Sequence, residues 1–183
     1  MIPVKVHKIS LHPPSRSYAV ILKEIDSERC LPVIVGAFEA QSIALALEYM
    51  ETPRPLTHDL VGNIIKGIEG KLNTVKITEL KEGVFFARLE ISGDGIGKRS
   101  IDSRPSDALA VALRLHAPIL VADSVMADAG MMPDIHKDSD ENLEISEWVP
   151  TRSSLEKKLQ TAIDKEEYEL AAKIRDQIKE LHA

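Results

Sequence analysis

Aromatic side chains make up only 4% of the 183 residues, and there is a single tryptophan. Any core must therefore be aliphatic, built of Leu, Ile, Val and Ala. Cysteine occurs once, at Cys30, so no internal disulfide can form. The cysteine usage fits a reduced, cytoplasmic protein with Cys30 as a packing residue. No apolar run approaches the roughly 18 residues that span a bilayer, which argues against a membrane helix. The opening MIPVKVHKIS has no long apolar segment of the kind a secretory signal needs. Positive charge is also scarce. The net charge is -6, and residues 1–133 carry 15 Lys/Arg against 16 Asp/Glu. Residues 134–150 hold one lysine and six acids, and residues 151–183 hold seven of each sign. On count alone no face is basic enough to grip a phosphate backbone, although a local patch stays open.

What is present is a foldable chain, 44% apolar and 28% charged. Residues 4–12, 17–25 and 31–35 alternate or run apolar with β-branched residues and predict three strands. Gly36 breaks the third, and residues 37–50 carry apolar side chains at roughly helical spacing. A second helix is expected from Thr57 to about Glu69, with Leu60, Val61, Ile64, Ile65 and Ile68 on one side and Gly70 at its stop. Residues 72–80 and 84–92 around Lys81-Glu82-Gly83 predict a hairpin. Residues 98–102 read as a short strand, Pro105 to His116 as a buried helix, and residues 118–122 as a buried strand.

The chain also echoes itself. Shifting Val35–Leu47 by 66 positions lands it on Ile101–Leu113, with Ile43 on Leu109, Ala44 on Ala110, Ala46 on Ala112 and Leu47 on Leu113. Each copy is a strand, a sharp turn and an alanine-rich helix, whose small side chains allow close packing. A true duplication would make the two helix mouths related places, flanking one cleft. After residue 133 the composition changes. Residues 134–150 form an acidic linker. Residues 151–183 contain capping boxes at Ser153–Glu156 and Asp164–Glu167, each followed by an apolar stripe, which predicts a helical hairpin. So short a hairpin needs a partner surface.

Two resemblances follow from these residues. "LEKKLQTAIDKEEYELAAKIRDQIKEL" (155–181) closely resembles the UVR motif, a helical hairpin that members use for protein–protein contact. "LPVIVGAFEAQSIALAL", "RPLTHDLVGNII" and "SRPSDALAVALRLHAPILVA" occur in order and resemble the bifunctional nuclease (BFN) domain family. That resemblance implies an α+β fold, a mixed, curved sheet with packed helices from a duplicated strand–helix unit, often oligomeric, in proteins named for cutting DNA and RNA. It brings no agreed catalytic set. The expected organisation is a BFN-like domain over 1–133, an acidic linker over 134–150 and a UVR-like hairpin over 151–183.

Phosphodiester hydrolysis needs an activated water and stabilisation of charge on phosphate, commonly from carboxylates with a divalent metal or from a His beside Lys/Arg. The residues able to supply these sit at the helix mouths and the 54–59 loop. Glu39, His58 and Asp107 are the catalytic candidates, Arg54 and Arg104 the substrate-binding ones, and Asp59 and Asp102 the candidate ligands for Mg²⁺ or Mn²⁺. Each also has a plain structural reading. Glu39 and Asp107 suit the positive end of a helix, Asp59 suits a cap, and Arg104 can simply pair with a carboxylate. Ser106 reads as a cap. Asp138–Asn142 begins like a calcium loop but has Leu143 and Val149 where glycine and glutamate are needed. Gly93–Gly97 lacks the strand and helix of a dinucleotide site. Two functions are weighed: a metal-assisted nuclease acting on DNA and RNA with a C-terminal protein-interaction hairpin, or a non-enzymatic adaptor that binds protein partners through that hairpin. A small-ligand sensor is a third option that sequence cannot test.

Overall fold

The computed structural model describes residues 1–12, 17–50 and 52–132, together with Gln160 and Arg175. The chain divides into two units, Met1–Asn142 and Leu143–Ala183. The expected acidic linker and the expected hairpin, apart from those two residues, lie outside the described part.

The first unit is an α+β fold on one seven-stranded mixed sheet. In chain order the elements are β1 (Ile2–His12), β2 (Ser17–Glu24), β3 (Cys30–Val35), α1 (Ala37–Leu47), α2 (Thr57–Gly67), β4 (Lys71–Lys81), β5 (Val84–Gly93), β6 (Gly97–Ser103), α3 (Pro105–Leu115), β7 (Ile119–Val121) and α4 (Asp123–Ala129). The sheet order is β3-β2-β1-β7-β4-β5-β6. The duplication is larger than the 13-residue echo. Each half is a three-stranded antiparallel meander followed by a helix, β1-β2-β3-α1 and β4-β5-β6-α3. Short β7 joins the halves, antiparallel to β1 and parallel to β4.

The strands form where alternation puts aliphatic residues inward, and two bulges repair its phase. Val4 and Ile9 are both buried although five residues apart, and the β1–β2 register shifts between Val6 and Lys8. Leu72 and Val75 are both buried although three apart, and the β4–β5 register shifts between Leu72 and Thr74. One extra residue in each case returns the next side chain to the core face. The β4–β5 turn has Glu82 at φ 51° and Gly83 at φ 79°, the left-handed pair that a two-residue hairpin requires.

In a flat sheet the edge strands β3 and β6 would lie about 29 Å apart. Each edge strand leads directly into a helix, and α1 and α3 pack against each other. The two halves of the sheet are therefore joined through their helices as well. Small side chains line the buried faces of both helices: Ala40, Ala108, Ala110 and Ala112 are fully buried. Helix α3 also covers β4 and β5, while α1 covers β2. Cys30 is buried where β3 begins, and burial pushes its thiol up.

Three sequence readings need adjustment. Helices α1, α2 and α3 end at Leu47, Gly67 and Leu115, earlier than their apolar periodicity implies. Each is closed by a non-glycine residue in the left-handed region, Tyr49, Glu69 and His116. In each case the next amide donates back to the helix, Met50 to Leu45, Gly70 to Ile65 and Ala117 to Ala112. The apolar side of α2 is split. Ile65 and Gly62 face the core, whereas Leu56, Leu60, Ile64 and Ile68 form an exposed stripe. Helix α4 has no counterpart in the sequence reading, because its seven residues bury only Val125 and Met126 and complete no periodic pattern. Among the described residues no helix is long and apolar enough to cross a membrane.

The alanine contact generates a prediction. Ala108→Leu overpacks the buried face of α3 and should cost about 1–3 kcal/mol, read as a lower urea midpoint in chemical unfolding.

Candidate functional site

The first turns of α1, α2 and α3 meet at an open pocket of about 420 Å³. Its lining comes from Phe38, Glu39, Gln41, Ser42 and Leu45 of α1, from Leu56, Thr57 and His58 at the start of α2, and from Arg104 and Asp107 at the start of α3. Local sequence explains the arrangement. Gly36 and Arg104 are extended residues before their helices, and Pro105 fixes the first helical position of α3. Glu39 and Asp107 are the acids in those first turns, where carboxylates suit the helix dipole.

One guanidinium joins the two halves of the fold. Arg104 donates from Nε and Nη2 to the two carboxylate oxygens of Asp107 at 2.8 and 3.0 Å, and from Nη1 to Glu39 Oε1 at 3.0 Å. These bonds hold Arg104 above its ordinary pKa, Asp107 contributing most and Glu39 next. Glu39 folds back over Gly36. A Cβ at position 36 would stand 2.5 Å from Glu39 Oε2, so a larger residue there would displace this carboxylate.

His58 lies between the other two helices. Its Nδ1 is 2.7 Å from Ser42 Oγ and its Nε2 is 3.1 Å from Asp107 Oδ1. Burial pushes the Asp107 carboxyl up, but hydrogen bonds from Arg104 and His58 outweigh it and hold the carboxyl below its ordinary value. An ionised carboxylate only accepts, so the proton of a neutral His58 ring belongs on Nε2. Nδ1 is then an acceptor, and the Ser42 hydroxyl donates to it.

A second guanidinium sets the frame beneath. Arg114, in the last turn of α3, donates from Nε to Asp59 Oδ1 at 2.6 Å and from Nη1 to the carbonyls of Ser42 and Ala110 at 3.0 and 2.9 Å. The other Asp59 oxygen accepts the Leu56 amide at 2.8 Å. One buried cation thus ties α3 to the start of α2 and the middle of α1. Burial raises the Asp59 carboxyl, yet Arg114 and the Leu56 amide outweigh burial and leave it lowered.

Of the sequence candidates, Glu39, His58, Arg104 and Asp107 line the pocket together. Asp59 neighbours His58 but is bound to Arg114 and Leu56. Arg54 lies on the exposed segment before α2 and Asp102 on the exposed edge strand β6, and neither lines the pocket. Ser42 and Arg114 were not among the candidates. Ser42 sits within an apolar helical run and Arg114 near a helix end, where a cation has a ready dipole explanation. No spacing marks either one. Among the described residues no group of three His, Cys, Asp or Glu side chains is arranged to hold a metal ion, and a guanidinium already spans Glu39 and Asp107.

The Asp59 link has a pH signature. Because folding lowers the Asp59 carboxyl, its stabilisation is complete above about pH 4 and is lost as pH falls through the folded-state value. The stability difference between wild type and Asp59→Asn, from urea unfolding, should therefore be largest near neutrality and shrink on acidification toward about pH 3.

Comparison with known proteins now bears on this geometry. Residues 20–134, more than half of the chain, match the bifunctional nuclease domain. Residues 152–183 match the UvrB/UvrC motif. An uncharacterised Mycobacterium tuberculosis protein is 38% identical over 138 residues, covering 75% of this chain and 80% of its own. Bifunctional nuclease 1 of Oryza sativa subsp. japonica and bifunctional nuclease 2 of Arabidopsis thaliana are each 29% identical, over 62% of this chain but 35% of their own length. The duplicated α+β unit described above is thus that of a known group: the chain belongs to the bifunctional nuclease domain family and carries a UvrB/UvrC motif at its C-terminal end.

Proposed function

We propose that the chain hydrolyses phosphodiester bonds in DNA and RNA at the pocket between α1, α2 and α3. The observation that carries this reading is the 3.1 Å His58–Asp107 hydrogen bond beside the exposed guanidinium of Arg104. Family membership and the names of the plant relatives supply the substrate class.

His58 moves the proton. Asp107 orients its ring and stabilises the imidazolium that forms, as a carboxylate does behind any histidine base. Arg104 spends three of its five N–H donors on Glu39 and Asp107, which leaves two for phosphate oxygens. An arriving phosphate competes with Glu39 for Arg104, so Glu39 sets how tightly the anion is held. A divalent ion between Glu39 and Asp107 would have to displace the guanidinium. No step is therefore assigned to metal, and Mg²⁺ or Mn²⁺ dependence is a readout of the assay.

The C-terminal UvrB/UvrC motif supports recruitment of a protein partner through residues 152–183. The exposed stripe Leu56, Leu60, Ile64 and Ile68 supports self-association. One observation favours a second reading, a non-enzymatic adaptor: Glu39, His58, Arg104 and Asp107 already satisfy one another.

The test is cleavage of single- and double-stranded DNA and RNA with EDTA, Mg²⁺ or Mn²⁺. His58→Ala should slow cleavage by about 10²–10⁴-fold, with Asp107→Asn in the same direction and circular dichroism unchanged. Full activity in both variants would remove the pocket from the reaction. Absence of cleavage under every ion condition would leave the adaptor, for which partner capture should vanish on deletion of residues 151–183.

A further inference from the structure

Ser42 bonds directly to His58 and has no task in the reading above. It lies in the middle of α1, is 7% exposed, and still contributes to the pocket wall. Its main chain and side chain are both fixed, the carbonyl by Arg114 at 3.0 Å and the hydroxyl by His58 at 2.7 Å. The duplication offers an internal control. Shifted by 66 positions, Ser42 falls on Ala108, which is fully buried. Packing at this place in the repeat is met by a methyl group, so the hydroxyl at position 42 serves something other than packing.

Ser42, His58 and Asp107 stand in the relation of nucleophile, base and orienting acid. A hydroxyl within 2.6–3.2 Å of a histidine that a third group orients is the arrangement that activates serine. Here the ring is used in the opposite sense from the familiar proteases, with serine on Nδ1 and the carboxylate on Nε2. The proton path is equivalent, since either ring nitrogen can accept while the other donates.

We infer that Ser42 is the nucleophile of this pocket, and that phosphodiester hydrolysis runs through a covalent phosphoryl-Ser42 intermediate. The inference rests on the pocket being a hydrolytic site. Ser42 Oγ attacks phosphorus, and its proton passes to His58 Nδ1. The bond from phosphorus to the leaving oxygen breaks, and that oxygen takes the proton from Nδ1 and departs as an alcohol. Water then attacks phosphorus and gives its proton to Nδ1. The Ser42 Oγ–phosphorus bond breaks, and Oγ recovers the proton. One water is consumed, and a phosphomonoester and an alcohol are formed. Arg104 stands at the same pocket to receive the phosphoryl oxygens.

Two measurements decide the matter, and they separate this inference from the nuclease reading. The first is labelling of the full chain with a fluorophosphonate, located by peptide mass spectrometry. The expected adduct is on Ser42, falling about 10²-fold or more in His58→Ala. The second is cleavage of an oligonucleotide with one stereodefined phosphorothioate, in ¹⁸O-water. Two successive displacements give net retention at phosphorus, whereas direct attack by water gives inversion. Inversion would overturn the inference and leave the nuclease reading intact. No adduct on Ser42, or an adduct indifferent to His58→Ala, would also overturn it. If no nucleic acid is cleaved, a His58-dependent adduct on Ser42 still establishes the nucleophile while the nuclease reading fails. Ser42→Ala should abolish both signals, and the wild-type adduct and stereochemistry decide the question even if that variant folds poorly.

Discussion

The close approach of α1 and α3 is the constraint from which the rest of the first unit follows. Alanine at positions 40, 108, 110 and 112 keeps the buried faces of both helices small, which lets each lie close to its neighbours. Their first turns then lie near enough for one arginine to bond an acid from each. The helices follow opposite edges of the sheet, so the same approach joins its two halves. Core and site are thus not separate layers. The pocket is where two small-residue helices, drawn together by apolar burial, bring their polar beginnings into one place.

In and beneath that pocket the charges are paired rather than accumulated. Two carboxylates face one guanidinium around Arg104, and one carboxylate faces one guanidinium around Arg114. This matches the near neutrality of residues 1–133. On the proposed reading, an anion is bound by exchange of partners at a fixed cation, not by long-range attraction from a basic surface. The pairing also keeps His58 in a single orientation before any substrate arrives. Preorganised dipoles and charges of that sort account for much of what enzymes gain over water.

Much of this architecture is legible in the sequence, for identifiable reasons. The β4–β5 hairpin is marked by period-two alternation around Glu82-Gly83, and α3 by Pro105 followed by an apolar run. The 66-residue echo between Ile43 and Leu109 reaches the duplication, although only coordinates show that it includes the meanders upstream. Helix ends are less legible, because Tyr49, Glu69 and His116 occupy left-handed positions where glycine is the usual signal. The outward face of α2 is hidden as well, since an apolar stripe reads the same whether it meets a core or water. Glu39, Arg104 and Asp107 stand out as ionic residues at helix starts. Ser42 and Arg114 do not, because their importance lies in bonds to residues 16, 55 and 72 positions away.

The short strand β7 has a mechanical consequence. In the described sheet the two meanders share no ladder of their own, and the five residues from Pro118 to Ala122 carry the hydrogen bonds of the seam. A seam that narrow leaves two blocks, one meander on each side, joined in the sheet by a single short strand. The helices that bridge the seam carry Glu39 on one block and Asp107 on the other, with Arg104 as the clasp. The clasp thus closes across the narrowest junction of the sheet, so the pocket wall and the seam are two attachments between the same two halves.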